Sequence, residues 1–263
     1  MSLENKLSVM VATHIVNATH NPYLNNDMII KTIRSSHDRM GLNGVVYYVY
    51  IDASMKRKFP KLYKEYRSIL SSRFESELSD INVILLEETR ELLRGNWMHM
   101  IENCTTPYFL FLEHDWEFIK DIPMDNIISK MDTHDNLSYI RFPYTKLGPG
   151  EHKHWDEVKG GLFEKESDID LPLTRIAFYS GNPHIVKLSK CKDFYLPEHT
   201  QHWETQPSKG TSHLEKELAD VALKHIKSVG KKEAHKLWGC FLYGTWDGFD
   251  PVVKHLGDWC RKR

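Results

Sequence analysis

Pro107-Tyr-Phe-Leu-Phe-Leu-Glu-His-Asp-Trp-Glu-Phe118 is the stretch on which the reading of this chain turns. Tyr108 to Leu112 is unbroken apolar sequence, and the acids Glu113 and Asp115 end it abruptly. A short apolar run closed by polar residues predicts a strand buried on both faces, as in the middle of a parallel sheet. Carboxylates at the carboxyl end of such a strand stand where open α/β sheets bind ligands. Glu113 and Asp115, one residue apart with His114 between, offer hard oxygen donors. Such donors suit Mn²⁺ or Mg²⁺ holding a diphosphate.

Toward the amino terminus the sequence alternates strand and helix. Leu7 to Val16 predicts a buried strand with Thr13 and His14 near its end. Leu24 to His37 carries Leu24, Met28, Ile29, Thr32 and Ile33 at helical spacing, and Gly41 to Gly44 is a turn. Val45 to Ile51 predicts a second strand, closed by Asp52. Phe59 to Phe74 is a basic, aromatic helix with Leu62, Tyr66, Ile69 and Leu70 on one face. Ile81 to Leu86 is a third strand, and the helix Arg90 to Asn103 leads into the Tyr108 run. This β-α-β rhythm predicts a doubly wound, nucleotide-binding half with a parallel sheet.

Beyond Asp115 the rhythm changes. Ile127 to Met131 predicts a short helix and Leu137 to Tyr144 a strand. Gly148 to Pro172 is long, polar and glycine-containing, and a stretch of that length reads as a lid or binding loop. Arg175 to Tyr179 predicts a strand, Thr211 to Val229 a helix, and Leu237 to Leu242 a strand or short aromatic segment. A glycine-rich tail precedes His255. No repeat or linker interrupts the chain. The expectation is one α/β domain over residues 1–263, with a nucleotide-binding half (1–116) and an acceptor half (117–263) carrying a loop at 146–172.

Composition narrows the function classes. A chain of 263 residues with 41% hydrophobic content supports a sizeable core. A net charge of -1 gives no basic excess to draw nucleic acid. The cysteines Cys104, Cys191, Cys240 and Cys260 form no Cys-x-x-Cys pair, which points to a reducing compartment. Met1 to Lys6 lacks a signal-peptide layout, and no window is apolar enough to span a membrane, so a cytoplasmic protein is expected. Gly-x-x-x-x-Gly-Lys-[Ser/Thr] is absent, as is Gly-x-Gly-x-x-Gly after the first strand, so neither an ATPase nor a dinucleotide enzyme is indicated. Oligomeric state is left open.

From Arg94 to Asp115 the sequence resembles the approach to the Asp-x-Asp motif of GT-A glycosyltransferases, which transfer a sugar from a nucleotide donor. Glu113-His114-Asp115 departs from the family pattern by a Glu at the first acid, which keeps the charge and lengthens the reach. The resemblance implies a GT-A fold with a mixed central sheet. Asp115 would bind the metal, and Glu113 the ribose, or the metal through water. Thr13, His14 and Asp52 would line base and ribose, and Arg94 the base or phosphates. Ser180-Gly181-Asn182 is similar to the family's glycine-containing loop against donor and acceptor, with Gly181 allowing close backbone approach. His255 is similar to its carboxy-terminal metal-binding histidine. The catalytic base is expected early in the following helix, at Glu215 or, second, Glu217. Ser212 to Glu215 also reads as a capping box.

The implied activity is metal-dependent transfer of a hexose from a nucleotide sugar, with UDP the expected nucleotide, to a glycan or carbohydrate acceptor. Trp116, Trp155, Trp203 and Trp246 lie near the expected loops and offer aromatic faces to sugar. The alternatives are a nucleotidyltransferase of similar topology, a non-catalytic sugar-binding protein, and a zinc hydrolase. The hydrolase would use Glu151, His152, His154, His199, His202 and His213, although no His-Glu-x-x-His pattern supports it.

Overall fold

A computed structural model describes residues 2–13, 22–86, 92–144, 162–176, 181–205, 214–244 and 250–256; within these, the side chains of 22–25, 54–55, 92–96, 162–165, 201–205 and 214–216 are not described. The chain divides into two compact units. One runs to Met124 and takes in Val253 to His255, and the other spans Asp125 to Val252. Within the first unit Trp116 to Phe118 pairs with Val253 to His255, and the Ile122 amide bonds to the Arg39 carbonyl at 2.8 Å.

In the first unit, strands β1 (Leu7–Thr13), β2 (Val46–Ile51), β3 (Val83–Leu85) and β4 (Tyr108–Glu113) lie in the order β3-β2-β1-β4, all parallel. Every residue of β1 is buried, as are Tyr108 to Leu112 of β4. Both faces of these strands are covered, which is why their sequences run apolar without alternation. Full burial of each Leu, Val or Phe contributes about 1.5–3 kcal/mol. The covering helices are α1 (Pro22–Met40), α2 (Ala53–Lys58), α3 (Pro60–Glu77) and α4 (Leu92–Asn103). Ile29, Thr32, Ile33 and Ser36 form the buried stripe of α1, and Tyr63, Tyr66, Leu70 and Phe74 that of α3. The chain winds outward from β1 through β2 to β3, then returns to the other side of β1 as β4. The reversal lies between β1 and β4, where Ala12 is opposite Glu113.

Two short strands complete this unit. β5 (Trp116–Phe118) pairs antiparallel with β11 (Val253–His255), setting His255 opposite Trp116.

Helix α5 (Met124–Thr133) leads into the second unit, which holds β6 (Tyr139–Arg141), β7 (Leu162–Lys165), β8 (Leu173–Ile176), β9 (His184–Lys187) and β10 (Cys240–Tyr243). Their order is β9-β6-β10-β8-β7. Only β10 and β6 run parallel; the other neighbours are antiparallel, with a register shift between Leu162 and Glu164. Helix continues from Leu188 through a π-helical segment, Cys191–Tyr195, into α6 (Leu196–Thr205). Helices α7 (Leu214–Val229) and α8 (Lys231–Trp238) follow. The expected loop at 146–172 is thus corrected at its carboxyl end, where 162–165 is a strand; residues 146–161 lie outside the described residues.

Candidate active site

The turn after β4 is held from two sides. Thr32, fully buried on α1, donates its hydroxyl to the His114 carbonyl at 2.9 Å and accepts the Trp116 amide at 3.2 Å. One turn on, Ser35 accepts the Phe118 amide at 3.0 Å. From the other side, the Leu256 amide donates to the Asp115 carbonyl at 2.7 Å. The β5–β11 ribbon then brings His255 Nε2 to 3.1 Å from Asp115 Oδ2, with the imidazole edge-on to the Trp116 ring at 4.8 Å. Asp115 and His255 are distant in sequence, and this ribbon brings them together.

Both side chains reach solvent, at 17% and 18% exposure. Burial pushes the Asp115 carboxyl up, but the hydrogen bond from His255 and the nearby imidazoles of His114 and His255 outweigh it. The carboxyl titrates below the ordinary carboxylate value. Asp115 is therefore an anion at neutral pH. Its Oδ1 is buried and has no hydrogen-bond partner among the described residues. An anionic oxygen in that position is costly unless a cation or donor meets it.

This pair fits a small divalent cation. Two donors each about 2.1 Å from one ion, at right angles, stand about 3 Å apart. The observed separation of 3.1 Å is close to that. Among the described residues no group of three or more His, Cys, Asp or Glu is poised for a metal, so water or the ligand's phosphates would complete the shell.

The remaining expected residues divide by location. Glu113 ends β4, half-buried, at the reversal of strand order. Asp52 follows β2, and its amide donates to the Thr13 carbonyl at 3.0 Å, which ties the carboxyl ends of β1 and β2 together. The Thr13 hydroxyl is buried and bonded to the Tyr66 hydroxyl of α3 at 2.6 Å. Trp116 is likewise a core residue and presents no open face to a sugar. His14, Trp155 and Trp246 lie outside the described residues. So do His152, His154 and His213, and the side chains of Arg94, Trp203 and His202.

In the second unit Gly181 and Asn182 are half-buried ahead of β9, and the Asn182 carbonyl accepts His184 Nδ1–H at 2.7 Å. Glu217 on α7 is buried against His199 on α6, with Oε2 to Nε2 at 2.5 Å. Glu215 is in the first turn of α7, and its side chain lies outside the described residues. His199 is thus taken up by Glu217 rather than by an exposed histidine cluster.

Sequence reasoning missed Thr32 as part of this site. It was legible only as one residue of the helical stripe, because its role depends on where α1 meets the acid turn. The β5–β11 ribbon was missed as well, being too short to show a period.

No protein-family model and no curated protein matches the sequence. Among solved structures, S. aureus TarS 1-349 in complex with UDP-GlcNAc is similar in fold. It aligns at TM-score 0.51 and 10% identity, with 98% of this chain covering 61% of that one. Mouse xyloside xylosyltransferase 1, apo form, aligns at TM-score 0.49 and 10% identity over 97% of this chain and 98% of that one. A cytidylyltransferase from Leptospira borgpetersenii serovar Hardjo-bovis (strain JB197) aligns at TM-score 0.45 and 9% identity over 92% and 77%. The chain thus spans less than two-thirds of the TarS fragment. The likeness to TarS is one of fold, and the fold is mixed α/β of GT-A type. Among the described residues no helix is long and apolar enough to cross a membrane.

Proposed function

We propose that this chain is a glycosyltransferase that moves a hexose from a nucleotide sugar, with UDP as the nucleotide, to a glycan or carbohydrate acceptor. One observation carries the reading. An ionised Asp115, one of whose oxygens is buried and meets no hydrogen-bond donor among the described residues, is paired with His255 just past the carboxyl end of β4, beside the reversal of strand order. That is the position at which open α/β sheets take up ligands. The fold shared with TarS, whose structure holds UDP-GlcNAc, supports a sugar nucleotide as the ligand.

Asp115 and His255 would hold Mn²⁺ or Mg²⁺, which supplies Lewis-acid neutralisation of a leaving diphosphate. The proton on His255 Nε2 would have to leave for that nitrogen to ligate. Glu113, at the strand end, would accept hydroxyls of the ribose or meet the metal through water. Asp52, fixed to β1 through the Thr13 carbonyl, offers a second carboxylate to base or ribose. Arg94 and His14 remain the proposed partners of base and phosphates, and Gly181 and Asn182 those of the sugar. A carboxylate takes the acceptor's hydroxyl proton as the new C–O bond forms and the bond to the diphosphate breaks. Glu215 is the preferred base, because Glu217 is buried and engaged with His199.

The test is release of UDP from a panel of UDP-hexoses in the presence of Mn²⁺ and an oligosaccharide acceptor. Chelation should stop release, and Asp115→Asn should lower kcat/KM by at least about 100-fold, more than loss of a supporting residue does. Wild-type release from Asp115→Asn would overturn the reading. Zinc-dependent hydrolysis with no effect of nucleotide would replace it with the histidine-based hydrolase.

A further inference from the structure

Thr32 lies in the middle of α1, far in sequence from every residue assigned to the donor side. It is fully buried, and a buried hydroxyl in an apolar helix stripe is costly unless it is hydrogen-bonded. Helical threonines usually satisfy themselves on the carbonyl one turn back. Thr32 instead turns its hydroxyl out of the helix, donating to the His114 carbonyl at 2.9 Å and accepting the Trp116 amide at 3.2 Å. The residue between those two groups is Asp115.

The consequence is geometric. A single side chain grips the backbone on both sides of the acid, and the Leu256 amide holds the acid's own carbonyl at 2.7 Å. The backbone around Asp115 is held at three points, which fixes where its side chain leaves the chain and from where it reaches His255. The hydroxyl of Thr32 bonds to backbone groups and not to the Asp115 carboxylate. Groups that orient a metal or phosphate ligand in this way typically change affinity when removed, because the ligand then has to be ordered on binding.

We infer that Thr32 is the positioning residue of the donor site: its hydroxyl bridges His114 O and Trp116 N–H and thereby sets Asp115 for a divalent cation and the diphosphate of a nucleotide. The inference rests on the proposed donor reading of Asp115.

The test is calorimetric titration of the intact protein with UDP in Mn²⁺, across a set of variants. Thr32→Val keeps the shape and removes the hydroxyl, with Thr32→Ala in its place if that variant does not fold. Thr32→Ser keeps the hydroxyl. Ser35→Ala removes the equivalent bond to the Phe118 amide, beyond the acid. Asp115→Asn, alone and with Thr32→Val, completes a double-mutant cycle. Thr32→Val should weaken Mn²⁺-dependent UDP binding by about 10- to 100-fold. Thr32→Ser should restore it, and Ser35→Ala should leave it within about twofold, the scatter expected of a site outside the bridge. In the Asp115→Asn background Thr32→Val should cost nothing more. Without any ligand, hydrogen exchange at the Trp116 amide should speed up in Thr32→Val and not in Thr32→Ser.

Unchanged affinity in Thr32→Val overturns the inference, as does equal loss in Thr32→Ser or a further loss on top of Asp115→Asn. Absence of Mn²⁺-dependent UDP binding in the wild type is a different result, and it removes the donor reading itself.

Discussion

Asp115 owes its charge to a contest between burial and two imidazoles, and the imidazoles prevail. A second buried titratable residue, His184, shows the opposite balance. Burial holds its imidazole down at about 3, against the ordinary 6.5, although its Nδ1–H is bonded to the Asn182 carbonyl. The folded state therefore stays neutral at this residue where the unfolded chain takes up a proton. Unfolding binds more protons throughout that window, so the contribution is full above pH 6.5 and is lost as pH falls toward 3. Its size is on the order of a few kcal/mol, at about 1.4 kcal/mol per pH unit. His184→Gln should flatten the dependence of the denaturant midpoint on pH between 6.5 and 3, whatever it does to absolute stability. A slope equal to that of the wild type would show that His184 is protonated in the fold. At this scale acids at a strand end and a late histidine are signals of residue type, and what the sequence could not show is the 3.1 Å approach of His255 to Asp115. The partner of the Thr13 hydroxyl, Tyr66, was not legible, because a strand-end hydroxyl looks the same in sequence whatever it faces.

Elements were legible in proportion to their length and burial. β1 and β4 declare themselves as continuous apolar runs, and the helical stripes of α1, α3 and α7 show as spacing. By contrast β5 and β11 are three residues each, and β9 is four. So few residues carry no period, and these strands exist through partners distant in sequence. The final helix, α8, was also missed, although glycines stand at both its ends. Gly239 caps it in the left-handed region at φ +61°. A β-carbon there would come to 2.5 Å from the Asn136 carbonyl and 2.9 Å from the Ser138 hydroxyl. Backbone cannot yield as a flexible side chain would. Gly239→Ala should therefore destabilise by about 2 kcal/mol or more, combining left-handed strain with the clash. Chemical denaturation reads this directly, and an unchanged midpoint would mean that the Trp238–Cys240 junction relaxes without cost.

For the whole molecule, the β-α-β rhythm was enough to place a parallel sheet in the first unit, whereas the mixed sheet was expected only from the resemblance to GT-A glycosyltransferases. The return of the chain's end to the first unit was not legible, because β11 joins that unit only by pairing with β5. Yet that return makes the site: without it Asp115 has no His255. The likeness to TarS concerns the same overall fold at 10% identity, so the identity of the ligand has to be settled on this protein. The most direct measurement is thermal unfolding with and without Mn²⁺ and UDP, comparing the wild type with Asp115→Asn. A ligand that binds only the native state adds about 2.7 kcal/mol of stability at a hundredfold excess over its Kd. The account predicts a rise in Tm that needs Mn²⁺ and UDP together and is lost in Asp115→Asn. The same rise in both proteins, or none in the wild type, would contradict a donor site built on Asp115.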